Sequence, residues 1–236
     1  MILLIVASLG ELVQLYNTGN KLYAEGNFKS AIEYYEKALS LCENKDILYN
    51  LGNAYFKSGK IGKAILNYRR AYYLCPRDED IIYNLYFLRN FRPDKITTMP
   101  NPLIQFFDRL FHQFSLAEAS ALSAILFFVI SIFLSLFLIT KNKIFIWIDF
   151  FGFFFFIYFV ITTGIWRGEK NSNPAVVIVS ELKAYSGPGD EYKEIFIIHD
   201  GAEVKIKEFR NGYYLIQLPG GIGGWVKSEG VEKIYR

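Results

Sequence analysis

The spacing of apolar residues changes character twice along this chain. Up to about residue 92, apolar and small residues recur at intervals that suit packed helices. Between residues 119 and 166 the polar positions almost vanish. From residue 174 onward, short β-branched stretches alternate with polar residues and are separated by Gly and Pro clusters, which predicts strands and turns. A short apolar run, Ile2 to Leu9, precedes all of this. It is too short for a bilayer that needs about 20 apolar residues and predicts an export segment over residues 1–10, although no Lys or Arg stands before it as a signal peptide would have.

The helical block repeats itself. Gly19, Gly26, Ala31 and Ala38 recur as Gly52, Gly59, Ala64 and Ala71, each 33 residues later, and Tyr16-Asn17 recurs as Tyr49-Asn50 and again as Tyr83-Asn84. A helix–turn–helix solenoid has a period of about 34 residues. Small residues at fixed positions let two helices of one repeat approach closely. Gly26 and Gly59 stand where a left-handed helix end is wanted, and Phe28, Tyr35, Tyr55 and Tyr68 are expected to fill the layers between helices. On these residues the block 11–92 resembles tetratricopeptide repeats. Tyr49-Asn50-Leu51-Gly52-Asn53-Ala54-Tyr55 matches the family's first helix, Ala64-Ile65 through Ala71 the second, and Pro76 the proline that ends a repeat. The first repeat has Glu43 in place of that proline. A third unit keeps Tyr83-Asn84-Leu85 but has Tyr86 where the glycine belongs and lacks a second helix, so it reads as a cap.

The resemblance implies a concave groove that holds an extended peptide of a protein partner. Tyr16, Asn17, Asn20, Tyr49, Asn50, Asn53 and Tyr83 would line it. Side-chain amides offer both a donor and an acceptor to a peptide backbone. The family's basic clamp for C-terminal carboxylates is missing, because Tyr16 and Tyr49 occupy a position where a lysine would help form it.

A proline-bearing linker leads from residue 93 to a helix predicted to start at Asn101-Pro102, with Pro in the first helical position. Leu103, Phe107, Leu110 and Phe114 share one face with Ile104 and Phe111, as in a helix lying at a membrane interface; packing on the repeat array is the alternative for residues 93–114. Ser115-Leu116-Ala117-Glu118 is a capping box. The next 22 residues, Ala119 to Thr140, carry no charge, and the 23 from Ile144 to Trp166 carry only Asp149. Each run is long enough for a span of about 30 Å. Lys141-Asn142-Lys143 leaves room only for a tight turn, so residues 115–166 predict a transmembrane hairpin in contact with membrane lipid, with both flanking domains on one side. Lys141 and Lys143 in the turn stand against Arg109, Arg167 and Lys170 at the other end. Their density in the turn, with the export segment, points to a cytoplasmic turn and exported domains at a bacterial inner membrane. Asp149, six positions into its helix, is read as an interfacial residue rather than a functional carboxylate.

In residues 171–236, Ser186-Gly187-Pro188, Gly201 to Val204 and Gly223-Gly224-Trp225-Val226 resemble the first loop, central strand and closing Gly-Trp signature of a bacterial SH3 domain. Asn211-Gly212-Tyr213-Tyr214 stands where that family has Gly-Gly-Trp-Tyr. The resemblance implies an all-β SH3-like barrel, with Trp225 in its core, that recognises cell wall or protein. The expected fold class is therefore a multidomain membrane protein: an α-helical tetratricopeptide (TPR) solenoid, a two-helix transmembrane hairpin and a C-terminal barrel.

Composition supports this division. The chain is 52% hydrophobic and 18% aromatic, with the Phe residues concentrated in one stretch. A net charge of +3 without a basic stripe argues against nucleic acid. Cys42 and Cys75 are too few for a disulfide framework or a four-ligand metal site. His112 and His199 have no evident catalytic partner, and there is no phosphate loop of P-loop type. A non-catalytic scaffold without cofactor is expected. The order of parts resembles the BatE-like proteins of bacterial aerotolerance operons, which implies von Willebrand-type membrane proteins and a MoxR-type ATPase as operon companions in an envelope complex.

Overall fold

The computed structural model describes residues 2–92, 94 and 101–235, with side chains from Leu9 onward. Apart from Leu9, the apolar side chains on which the export reading rests lie outside the described residues, as do the linker prolines Pro93 and Pro100. The backbone of residues 2–24 is one continuous helix.

Five helices open the chain: α1 (Ile2–Ala24), α2 (Phe28–Leu41), α3 (Lys45–Lys57), α4 (Ile61–Leu74) and α5 (Glu79–Phe91). Gly26 and Gly59 follow α1 and α3 at φ 79° and 75°, the left-handed geometry that ends a first helix and turns the chain into the second. Asn27, Asn44 and Asp78 cap α2, α3 and α5 through their side chains. Ala31, Ala38, Ala64 and Ala71 are fully buried, as the repeat pattern requires. Leu48, Leu51, Ile65, Leu66, Ile81 and Leu88 complete the core, each worth about 1.5–3 kcal/mol of burial.

One contact accounts for the repeated glycine. A Cβ on Gly52 would lie 2.7 Å from the Tyr68 ring, and one on Gly19 would lie 2.7 Å from Tyr35. The tyrosine of each second helix leans on the glycine of the first, and its hydroxyl bonds the next residue, Asn53 or Asn20. Among the described residues no second-helix tyrosine leans on α5, and Tyr86 stands in the glycine position with its side chain exposed.

Seven strands follow the last helix: β1 (Pro174–Val177), β2 (Glu181–Tyr185), β3 (Glu194–His199), β4 (Glu203–Arg210), β5 (Tyr213–Gln217), β6 (Gly223–Lys227) and β7 (Val231–Lys233). They form one antiparallel sheet in the order β3-β2-β6-β5-β4-β1-β7. Ala184, Ile198, Val204, Ile216 and Val226 fill its core. The expectation for Trp225 is not met. Strand alternation turns Gly224 and Val226 inward, and Trp225 lies half-buried on the other face with the Arg210 guanidinium 5.8 Å from its ring centre.

The repeat array and the β domain form one compact unit. Glu203, at the start of β4, binds Arg89 through two bonds of 2.7 and 2.9 Å and lies 3.4 Å from Arg69 and 3.5 Å from Arg92. Burial alone would raise its carboxyl, but Arg89, Arg69 and Arg92 together hold it down at about 2. Arg70, buried in α4, donates to the carbonyls of Lys233 and Ile234 and to Glu232, and Tyr73 stacks on Tyr235 at 4.3 Å. At the start of α4, Lys60 supplies no side-chain cap. Asp200 of the β3–β4 turn stands there instead: burial raises its carboxyl, and the amides of Gly62 and Ile61 oppose that rise. A Cβ on Gly62 would sit 2.2 Å from both Asp200 and the Val177 carbonyl, so only glycine admits this approach.

The second unit holds α6 (Pro102–Phe111), α7 (Leu116–Thr140) and α8 (Ile144–Asn171). Asn101 caps α6 with Pro102 at its first turn, and Ser115 and Glu118 form both bonds of the capping box on α7. Helices α7 and α8 are long and apolar enough to cross a membrane, with mean hydropathy 2.9 and 2.4. They pair as a hairpin around a turn in which Lys141 adopts φ 57°. Both carboxylate oxygens of Asp149 are enclosed and have no hydrogen-bond partner among the described residues. At the other end of the hairpin, His112 lies 3.1 Å from Asp108 and 3.4 Å from Glu169. Burial lowers its imidazole, but the bonds to Asp108 and Glu169 outweigh that and carry it up to about 10. His199 likewise binds Asp94, at 2.9 Å. Both histidines therefore pair with carboxylates. Glu169 and Asp94 are too remote in sequence from their histidines for a motif to reveal them.

The Glu203 cluster sets an acid limit on the array–barrel unit. Because its folded carboxyl lies below the ordinary value of 4.5, its stabilisation is present above that value and lost as pH falls toward about 2. Glu203→Gln, which leaves three arginines without their counter-charge, should cost about 3–5 kcal/mol at pH 7. The gap between variant and wild type should close as the pH is lowered. Thermal melts of the full chain in detergent at pH 7, 4.5 and 3 check this; a gap independent of pH would contradict it.

Candidate functional site

Helices α1, α3 and α5 line one face of the array, and here the structure gathers most of the residues expected in the groove. Their side chains are more committed than the sequence implied. The Asn20 carboxamide oxygen accepts from the Tyr35 hydroxyl at 2.7 Å and from the Asn50 amide at 3.1 Å. That amide also donates to the Tyr16 hydroxyl at 2.9 Å. One repeat further on, the Asn84 amide donates to Tyr49 at 3.0 Å, and Asn53 accepts from Tyr68 at 2.5 Å. Each step joins adjacent repeats or the two helices of one repeat. Tyr16, Asn20, Tyr49 and Asn50 thus form a ladder that links successive first helices. Asn17 is exposed and makes no side-chain hydrogen bond among the described residues.

What remains open lies between α3 and α5. A cleft of about 230 Å³ is lined by Tyr23, Asn53, Phe56, Lys57, Tyr68, Tyr83, Asn84, Phe87 and Leu88. Phe56 meets Phe87 edge-on at 6.0 Å, and Tyr83 stacks on Phe87 at 6.3 Å with 65% of its surface exposed. The Asn53 amide nitrogen, the Asn84 carboxamide oxygen and the Lys57 ammonium have no intramolecular partner among the described residues. One donor, one acceptor and one cation therefore face an aromatic slot, a set that suits a peptide bond flanked by an apolar side chain and an acidic group.

Of the expected residues, only Asn53 and Tyr83 line this cleft. Phe56, Lys57, Asn84 and Phe87 were missed, although the i, i+3 spacing of Asn84 and Phe87 on a capping helix without a second helix pointed to an uncovered face.

The β domain has an aromatic surface of its own. Tyr185 and Tyr213 meet edge-on at 6.3 Å. Asp190 binds Lys227 at 2.8 Å, and this bond first, then the Tyr213 and Tyr185 hydroxyls, holds its carboxyl below the usual range. Trp225 lies next to Tyr185 across the β2–β6 pairing.

Comparison with known families agrees with this geometry. Residues 19–59 match the family model described as TPR repeat, and residues 46–78 match the one for the tetratricopeptide repeat. Residues 180–232 match the bacterial SH3 domain. A search of curated proteins gave no match. The chain thus combines TPR repeats with a bacterial SH3 domain and two apolar helices of membrane-spanning length. Such repeats point to protein–protein interaction, and such a β domain to cell-wall binding.

The Asn53–Tyr68 bond makes a prediction that separates architecture from binding. Asn53→Ala strands a buried tyrosine hydroxyl and should destabilise the full chain by about 1–3 kcal/mol. In a Tyr68→Phe background the same change should cost under about 1 kcal/mol, because the hydroxyl is already gone. Denaturant melts of the four proteins test it, and equal costs in both backgrounds would show that the bond carries no coupling.

Proposed function

We propose that this chain is a non-catalytic, membrane-anchored adaptor whose repeat groove captures an extended segment of a partner protein in a bacterial envelope complex. The observation that carries the proposal is the cleft between α3 and α5, where the Asn53 amide, the Asn84 carboxamide oxygen and Lys57 stand uncommitted beside Phe56, Tyr83 and Phe87. The segment it suits bears a large apolar side chain next to an acidic one. The BatE-like order of parts supports membrane proteins of the same operon, of von Willebrand type, as the source of that segment. Peptide selection against the full chain in nanodiscs tests the site. Selected peptides should carry an aromatic or large aliphatic residue beside Asp or Glu. Tyr83→Ala should weaken them at least tenfold, about 1.4 kcal/mol, without shifting the thermal midpoint. Unchanged affinity would move the binding face elsewhere.

A second reading, anchorage to cell wall through the β domain, is favoured by the Tyr185–Tyr213–Trp225 surface, and sedimentation with purified cell wall separates the two. In either case the hairpin would hold the chain in the inner membrane. The lysine-rich turn would face the cytoplasm, with both folded domains on the exported side. Alkaline phosphatase fused after Arg236 should then be active, and the enzyme inserted at Asn142 inactive. The reverse pattern would place the domains in the cytoplasm.

A further inference from the structure

Helix α6 has no buried residue. Around its axis Leu103, Ile104, Phe106, Phe107, Leu110 and Phe111 occupy one continuous arc, and Gln105, Asp108 and Arg109 occupy the other. The first four of these apolar residues are between 52% and 66% exposed. An apolar face this open on a ten-residue helix has to be covered by something.

The fixing of α6 identifies the cover. Its last turn and the segment that follows are tied to α8 at two heights. The Tyr158 hydroxyl donates to the Leu110 carbonyl at 2.8 Å, and the Trp166 indole donates to the Phe114 carbonyl at 2.8 Å. Phe111 stacks on Tyr158 at 5.7 Å, Phe114 meets Phe159 at 5.1 Å, and His112 meets Trp166 at 4.5 Å. Trp166 is the last residue of the apolar run, and Arg167, Glu169 and Lys170 follow it. Tyr158 lies eight residues deeper, about 12 Å along the helix. The end of α6 is thus bonded below the level at which α8 becomes charged. If the hairpin is inserted, α6 cannot be lifted clear of the bilayer, and its exposed arc continues the apolar surface of α8.

We infer that α6 lies in the membrane interface with its apolar arc among the acyl chains of the leaflet at the open end of the hairpin, and its polar arc toward the headgroups. The occupant of this face is lipid. The inference rests on the membrane-spanning reading of α7 and α8 and adds a third, in-plane element to the anchor. Its functional consequence is a broader hold on one leaflet than two spans alone would give.

The test is a depth measurement on the full chain in phosphatidylcholine vesicles. With Cys42 and Cys75 replaced by Ser, an environment-sensitive fluorophore is placed singly by Phe107→Cys, Leu103→Cys, Gln105→Cys and Ile132→Cys. Lipids carrying a spin label on the upper acyl chain should quench the Phe107 and Leu103 positions at least twofold more than Gln105. Lipids labelled deep in the chain should quench Ile132 most. If Ile132 is quenched while Phe107 and Leu103 behave like Gln105, the spans stand and the interfacial helix is overturned. If Phe107 and Leu103 report an apolar environment that no labelled lipid reaches, protein covers the face and the inference is again overturned. If Ile132 is not quenched, the membrane reading itself fails, and the inference with it.

Discussion

The structure depends on one carboxylate. Glu203 reaches from the first residue of β4 into a cage of Arg69, Arg89 and Arg92, contributed by α4, α5 and the residue after α5. A buried charge of this kind adds little net stability over a well-packed apolar contact, but it is costly to leave unpaired, so it tolerates one arrangement and penalises others. Here that arrangement sets the barrel against the second helix of the second repeat and the capping helix. Arg70, Asp200 and the Tyr73–Tyr235 stack then complete a junction that includes backbone carbonyls, a helix N-terminus and an aromatic pair. The β domain thereby occupies the end of a short array that would otherwise expose its last helices, the task that terminal caps perform in repeat proteins.

This junction leaves two surfaces free. The cleft between α3 and α5 uses first-helix residues, whereas the barrel engages the array mainly through α4 and the cation-bearing side of α5. The Tyr185–Tyr213–Trp225 face lies on β2, β5 and β6, away from the strands β1, β4 and β7 that meet the array. Because both surfaces belong to one compact unit, a ligand on one would be held at a fixed separation from a ligand on the other.

Within the array, the same residue types do two jobs, and only their partners tell them apart. Asn20 and Asn50 spend their side chains on Tyr35 and Tyr16, and so hold the repeats in register. Asn53 and Asn84 bond Tyr68 and Tyr49 in the same way but, unlike Asn20 and Asn50, make no bond to each other among the described residues, and both line the cleft between α3 and α5.

The sequence alone determined the elements. The 33-residue displacement of Gly, Ala and Tyr-Asn forced a helical repeat, because only glycine accepts the ring of Tyr35 or Tyr68 against a helix. Two long uncharged runs around Lys141-Asn142-Lys143 required an apolar hairpin, and the alternation after Pro174 required a sheet. These constraints are periodicities and runs that can be read along the chain without knowing which distant residues meet. The tertiary structure decided what each side chain is for. Arg69 and Glu203 are 134 positions apart, and Arg70 and Ile234 are 164 apart, so no periodicity could pair them. Trp225 followed strand alternation to the outer face instead of the core, and four of the groove residues were drawn into the ladder. The cleft lining came largely from Phe56, Lys57, Asn84 and Phe87, which α3 and α5 bring together across about 30 positions of chain. A motif specifies a residue's type and spacing, but whether its polar atoms are still free is settled only when the whole chain has found its hydrogen-bond partners.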